Sequence, residues 1–173
     1  MTSPDAAFAF RCACCGKVIN GIPDFGFKSP VYWSDEAEGA NENNSLTADS
    51  CVIEDCGFFV RGVLEIPVIG AGQRFGLGVW STLSEPNFHR YKETFSQDQK
   101  ILGPMSGYLS NRIPGYEETD ILPVAVLPQY GGQRPKIWVA DASREHPLFN
   151  DQRNGITKER LGELFAAFSG GRH

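Results

Sequence analysis

The sequence predicts an α+β domain: a mostly antiparallel sheet of five or six strands, two main helices and an N-terminal zinc-knuckle-like segment. Apolar and polar residues alternate in segments that follow residue 51, which is typical of strands. Two other segments place apolar residues three and four positions apart, as amphipathic helices do. Three of the five cysteines lie between positions 12 and 15, which indicates the knuckle.

A single domain is expected over residues 1–173, because a chain of this length with 41% hydrophobic residues can bury one substantial core. Residues 1–30 form its cysteine-containing N-terminal segment. Residues 34–50 are acidic and poor in apolar groups, so we predict a mobile surface loop there. Residues 51–168 form the α+β core.

The central strands are predicted between residues 52 and 83. Val52 and Ile53 begin a strand, the sequence EDCG makes a tight turn, and residues 58–68 form a long second strand with alternating faces. Residues 75–83 are its natural antiparallel partner, after a turn rich in glycine. Two later strands are predicted in ILPVAVLPQY and PKIWVA, joined by a turn at Gly131 and Gly132.

Two helices complete the prediction. Ser84 is the expected cap of the first, which ends near Gln99. Thr157 is the expected cap of the second. The predicted buried faces comprise Phe88, Tyr91 and Phe95 in the first helix and Leu161, Leu164, Phe165 and Phe168 in the second.

Composition excludes several classes of function. The formal net charge is −5 and no basic stripe is present, which argues against a nucleic-acid partner. The sequence has neither a signal peptide nor an apolar run of about 18 residues, so we expect a cytoplasmic protein without a membrane partner. Thiols are mostly reduced in that compartment and five is an odd number, so the cysteines favour metal binding or catalysis over a disulfide framework.

The strongest candidate site is a zinc site built from two pairs of cysteines. Cys12 and Cys15 have the CxxC spacing of a zinc knuckle, and the following Gly16 permits a tight turn. Zinc in structural sites takes four ligands, and Cys51 and Cys56 flank a predicted turn that offers a second pair. The predicted ligands are therefore Cys12, Cys15, Cys51 and Cys56, and thiolates favour zinc over magnesium or calcium.

Three other interpretations of these thiols stay open. A redox CxxC begins a helix, and the residues after Cys15 do not resemble one. A catalytic cysteine needs a histidine partner, for which His89 and His146 are the internal candidates. Some of the thiols are also explained as small buried apolar groups.

Five stretches of the chain together resemble a known bacterial family. They are FRCACCGKVINGIP, ADSCVIEDCGFFVRGVLEIPV, GVWSTLSEPNFHRY, GQRPKIWV and HPLFNDQRNGIT. In this order they are similar to the uncharacterised family called domain of unknown function 2199, over roughly residues 10–165. The resemblance implies a bacterial protein without a known reaction.

The family pattern also bears on the metal ligands. It matches this chain at Cys12, Cys15, Gly16, Asp49, Cys51, the FFVRG stretch around Arg61 and the segment His146–Leu148. Many members have a histidine at the position of Ile19 and no cysteine at the position of Cys56. The resemblance therefore implies three ligands, Cys12, Cys15 and Cys51, and leaves Cys56 and Cys14 as alternatives for the fourth.

Two further residues have alternative interpretations. Arg61, in the middle of a predicted strand, either pairs with Glu65 on the same face or is solvated on an open face. His146 either caps or packs a loop, or acts as an acid–base or metal group.

We expect a non-enzymatic domain that binds another protein, with a structural zinc ion attaching the N-terminal segment to the sheet. An immunity or adaptor protein is the nearest analogy. The alternative is a zinc-dependent hydrolase in which Cys12, Cys15 and Cys51 leave one metal position open for water. Glu54, Asp55 or His146 then serves as base. The fourth ligand discriminates between them.

Overall fold

The computed structural model describes residues 8–170, which form a mixed eight-stranded sheet, a separate two-stranded hairpin and three α-helices. Residues 1–7 of the predicted N-terminal segment and residues 171–173 lie outside the described part of the chain. The α+β class is thus confirmed. The expected size of the sheet is wrong: it has eight strands, both parallel and antiparallel, where five or six mostly antiparallel ones were predicted.

The strands are β1 (Ala9–Arg11), β2 (Val18–Asn20), β3 (Phe25–Gly26), β4 (Ser45–Leu46), β5 (Ser50–Ile53), β6 (Gly57–Pro67), β7 (Arg74–Leu83), β8 (Met105–Tyr108), β9 (Pro123–Leu127) and β10 (Lys136–Val139). The α-helices are α1 (Glu85–Glu93), α2 (Pro147–Asn154) and α3 (Lys158–Ser169). Three short 3-10 helices cover Gln99–Leu102, Thr119–Ile121 and Asp141–Ser143.

The long hairpin of β6 and β7 is the centre of the sheet. These strands pair antiparallel along their whole length, from Phe58 opposite Leu83 to Pro67 opposite Arg74, as the alternating sequence predicted. The order across the sheet is β3-β7-β6-β10-β9-β8, and β5 pairs with the first part of β6 and with β4. The predicted loop 34–50 therefore contains a strand, β4.

The sheet curves so that β8, at the end of this order, approaches β7 again. The backbone N–H of Ser110, just after β8, donates a hydrogen bond of 2.8 Å to the carbonyl of Trp80, and Leu109 bridges Ser81. The path of hydrogen bonds through β7, β6, β10, β9 and β8 thus returns to β7. Its inner face is the natural place for the core.

The main core occupies that inner face. Alternate residues of the strands point into it, which is the period-two pattern of a half-buried sheet. The strand residues include Val60, Leu64 and Ile66 of β6, Phe75, Leu77 and Val79 of β7, and Ile137 and Val139 of β10. All three helices contribute as well, through Phe88, Tyr91, Leu148, Leu161 and Leu164.

Both predicted helix caps are present. The Ser84 side chain accepts a hydrogen bond from the N–H of Asn87, and the Thr157 side chain accepts one from the N–H of Arg160. Helix α1 ends at Glu93, before the predicted end at Gln99, because Thr94 has left helical geometry.

Helix α2 was not predicted. His146 caps it: the ring Nδ1 accepts a hydrogen bond from the N–H of Leu148 at 3.1 Å. Pro147 follows at the first helical position, where its missing N–H has no cost, and Gly155 ends the helix with a φ of 86°. Between residues 8 and 170, no helix combines the length and apolarity that crossing a membrane requires.

Candidate metal centre

Three thiols converge at the turn between β1 and β2. The sulfur atoms of Cys12, Cys14 and Cys15 all lie within 4.8 Å of one another, and the Sγ atoms of Cys12 and Cys14 are 3.1 Å apart. Tetrahedral zinc with Zn–S bonds of about 2.3 Å separates its sulfur ligands by about 3.8 Å. The three sulfurs are therefore close to the spacing that one metal ion requires.

The backbone of this turn, which we call the cysteine turn (residues 12–17), explains the convergence. The N–H of Gly16 donates to the carbonyl of Cys12, and the N–H of Cys12 donates to the carbonyl of Lys17, both at 2.9 Å. Gly16 has a φ of 74°, which side chains other than hydrogen rarely tolerate. The glycine after Cys15 thus has the role in the turn that the sequence predicted.

Helix α3 fixes the cysteine turn to the rest of the domain. The N–H of Ala13 donates to the carbonyl of Gly162 at 3.2 Å, and a Cβ atom at Gly162 would collide with the carbonyl oxygen of Arg11. Beside this contact the ring of Phe10 packs edge-on against Phe165, with centroids 5.6 Å apart. The turn is therefore held by close backbone contact.

The three thiols differ in exposure and charge. Cys12 is 2% exposed, whereas Cys14 and Cys15 are exposed. Burial alone would raise the pKa of Cys12, but hydrogen bonds from the Cys14 thiol and from the backbone N–H groups of Cys14 and Cys15 outweigh it and lower the pKa to about 6. Its bond to Cys12 is the largest cause that raises the pKa of Cys14, to about 11. Cys12 therefore loses its proton more readily than an ordinary thiol, and the thiolate is the form that binds metals.

A cavity of about 580 Å³ adjoins the buried thiol. Cys12 and Ala13 form part of its lining, together with Lys158, Glu159 and Glu163 of α3. Two carboxylates therefore stand on the helix beside the cysteine turn.

The structure does not bring Cys51 and Cys56 into this group. Cys51 lies in β5 opposite Phe59, is 0% exposed and packs in a small cluster with Phe59 and Trp80. Burial, followed by the charge of Cys56, raises the pKa of the Cys51 thiol to about 12. Cys56 is exposed in the turn between β5 and β6, and none of the five cysteines forms a disulfide. Of the two alternatives for completing the ligand set, Cys14 lies with Cys12 and Cys15.

The two internal histidines are engaged elsewhere. His89 lies 3.6 Å from the carboxylate of Glu85, one turn earlier in α1. His146 uses Nδ1 to cap α2, and its Nε2 lies 2.6 Å from the carbonyl of Glu117, to which it donates. Within residues 8–170, the candidate metal-binding group consists of Cys12, Cys14 and Cys15 and includes neither of these histidines.

A family model described as "Uncharacterized protein conserved in bacteria (DUF2199)" matches residues 11–156. The chain belongs to this family. The match confirms the resemblance seen in the sequence, and the DUF2199 range contains all five cysteines but ends before α3. No curated protein and no solved structure matches the chain significantly.

Proposed function

We propose that this DUF2199 protein is a non-enzymatic domain that binds one zinc ion through Cys12, Cys14 and Cys15 and acts by binding another protein in the bacterial cytoplasm. The observation that carries the metal site is the convergence of three sulfur atoms within 4.8 Å. Soft thiolate ligands favour zinc and copper(I) over hard cations. A group of the partner protein supplies the fourth ligand and closes the site.

The position of the site supports a structural role for the ion. The cysteine turn connects β1 to β2 and contacts α3 through Ala13 and Gly162. An ion that fixes the three side chains there also fixes the hairpin against the helix. Because the unfolded chain has no preformed site, the free energy of binding stabilises the fold.

The alternative is a zinc-dependent hydrolase, and one observation favours it. Three protein ligands leave a coordination position for water, and Glu159 and Glu163 line the cavity beside Cys12. The bases expected from the sequence are less suitable, since Glu54 and Asp55 lie in the turn after β5 and His146 caps α2. The hydrolase requires p-nitrophenyl acetate hydrolysis by the zinc protein that Glu159→Gln or Glu163→Gln abolishes.

The decisive experiment measures the metal content of untagged protein purified without chelator. We expect one zinc per chain, and its loss in Cys12→Ser, Cys14→Ser and Cys15→Ser. The matched control is Cys56→Ser, an exposed thiol outside the group, which keeps the metal. Retention of zinc by Cys14→Ser with loss in Cys51→Ser would contradict the proposed ligand set. Copper in place of zinc would contradict the proposed metal.

A further inference from the structure

The outer face of the central strands differs from the inner face in its chemistry. The residues of β6 on this face include Arg61, Val63 and Glu65, and those of β7 include Arg74, Gly76 and Gly78. Pairing with Glu65 was one of the two interpretations of Arg61 in the sequence. The structure does not contain this pair, because the Glu65 carboxylate contacts Lys136 instead. Arg61 therefore lies on this face without the partner expected for it.

A cavity of about 360 Å³ opens on this face. Its lining includes two arginines, Arg61 and Arg134, one carboxylate, Asp24, and three glycines, Gly26, Gly76 and Gly78. Glycine inside a strand costs roughly 0.5–1 kcal/mol relative to alanine, and it often marks a close approach to the backbone.

The glycines allow the Arg61 side chain to lie directly on the sheet. A Cβ atom at Gly26 would stand 2.7 Å from Nη2 of Arg61, and one at Gly78 would stand 3.1 Å from the same atom. Larger residues at either position would push the guanidinium away. The floor of the cavity is thus shaped around this one cation.

Arg61 also has unused capacity to donate hydrogen bonds. Its Nε atom is buried and makes no hydrogen bond, and no carboxylate among residues 8–170 lies within 4.0 Å of its guanidinium nitrogens. The neighbouring Arg134 binds Asp49, with an Nε–Oδ1 distance of 2.7 Å. A buried donor without a partner is costly, so a ligand that accepts from Arg61 would relieve that cost.

We propose that this cavity binds a small molecule through a carboxylate group held by Arg61 and Arg134. The planar guanidinium fork matches a carboxylate with two parallel hydrogen bonds. The carboxylate of Asp24 in the same lining disfavours ligands of higher negative charge, such as phosphate dianions, and can accept a hydrogen bond from a donor on the ligand. A volume of about 360 Å³ is in the range of small-molecule sites.

The test titrates the full-length, ¹⁵N-labelled protein with sodium acetate at constant ionic strength, with chloride as the reference anion. We expect a saturable shift of the Arg61 Nε–Hε resonance in the NMR spectrum, assigned by its absence in Arg61→Lys. Arg134→Ala removes a half-exposed side chain from a loop and should weaken acetate binding at least fivefold. The matched control is Arg112→Ala, an exposed arginine paired with Asp120 away from the cavity, which should bind acetate as the wild type does.

Each opposite result overturns the proposal. Acetate that shifts the Arg61 resonance no more than chloride, or equally well in Arg134→Ala, would exclude a carboxylate site. Phosphate that binds at least tenfold more tightly than acetate would exclude the proposed ligand class. Asp24→Asn should strengthen phosphate binding more than acetate binding, because it removes the negative charge that discriminates between them.

Discussion

Cys12 and Cys51 are both buried thiols, yet the pKa of Cys12 is lowered and that of Cys51 is raised. Backbone N–H groups and a neighbouring thiol stabilise the thiolate of Cys12. Cys51 packs between aromatic side chains, and burial disfavours its thiolate. From spacing alone, both cysteines were predicted to be zinc ligands, because the spacing of residues carries no information about the surroundings of their side chains.

The raised pKa of Cys51 makes the free energy of unfolding depend on pH in the alkaline range. Its folded-state pKa of about 12 is above the ordinary value of 9.0, so the folded state favours the thiol. This contribution is complete below pH 9 and is lost as the pH rises from 9 toward 12. Cys51→Ala should cost about 1 kcal/mol at pH 8, for loss of one buried heavy atom, and this difference from wild type should shrink as the pH rises and reverse its sign by pH 11.

Urea unfolding of both proteins at pH 8, 9.5 and 11 measures this effect. Cys56→Ala serves as the control, because its thiol is exposed and its removal should leave stability at pH 8 unchanged. Equal pH dependence in the wild type and in Cys51→Ala would contradict the assigned environment.

At the scale of elements, α3 is coupled to the cysteine turn through Gly162. In an exposed helix, replacing glycine by alanine stabilises by about 1 kcal/mol. At Gly162 the added Cβ would collide with the carbonyl of Arg11, so we expect Gly162→Ala to destabilise the protein by about 1–3 kcal/mol. Thermal unfolding of the metal-free protein measures whether Gly162→Ala lowers or raises the stability.

The exposed Ala167 of the same helix provides the matched control. Ala167→Gly should cost about 1 kcal/mol through helix propensity alone. An increase in Tm for Gly162→Ala would show that α3 is not in close contact with the cysteine turn.

Local patterns made some elements predictable and left others unrecognised. Strands β6 and β7 and the caps at Ser84 and Thr157 follow from alternation and capping chemistry within a few residues. Helix α2 has few apolar residues and so lacks the periodic pattern that predicts a helix, although Pro147 and Gly155 together mark its ends. The parallel pairing of β10 with β6 depends on tertiary contacts that no local pattern encodes.

The candidate site was predictable only in part. Cys12, Cys15 and Gly16 were identified by the spacing of a zinc knuckle. Cys14, the third thiol of the group, was named from the sequence only as an alternative fourth ligand, because a CxxC pattern does not use the residues between its two cysteines. Cys51 lies directly opposite Phe59 and packs with it and with Trp80, and this register could have indicated a buried side chain.

For the whole molecule, removing the metal should loosen one region and leave the rest intact. A ligand present at 1,000 times its dissociation constant stabilises by about 4 kcal/mol, so chelation should lower the Tm. We expect faster amide hydrogen exchange in β1, β2 and α3 after chelation, because these elements meet at the cysteine turn.

Exchange in β6 and β7 is the internal reference, since their long pairing lies outside that region. Cys12→Ser should show the fast pattern without chelator. Uniform acceleration across all strands would mean that the ion holds the entire fold, and no acceleration would mean that it holds none of it.

The parallel contact between β6 and β10 also determines when the chain can finish folding. Val63 and Lys136 are partners in this pairing, although β7, α1, β8 and β9 all intervene in sequence. The β6–β7 hairpin can form from neighbouring residues, but closing the sheet requires the ends of a long loop to meet. Because synthesis of β10 must be complete before that closure, the β6–β7 hairpin leaves the ribosome with part of the β6 edge unpaired. Until β10 pairs there, this edge needs protection from pairing with strands of other chains.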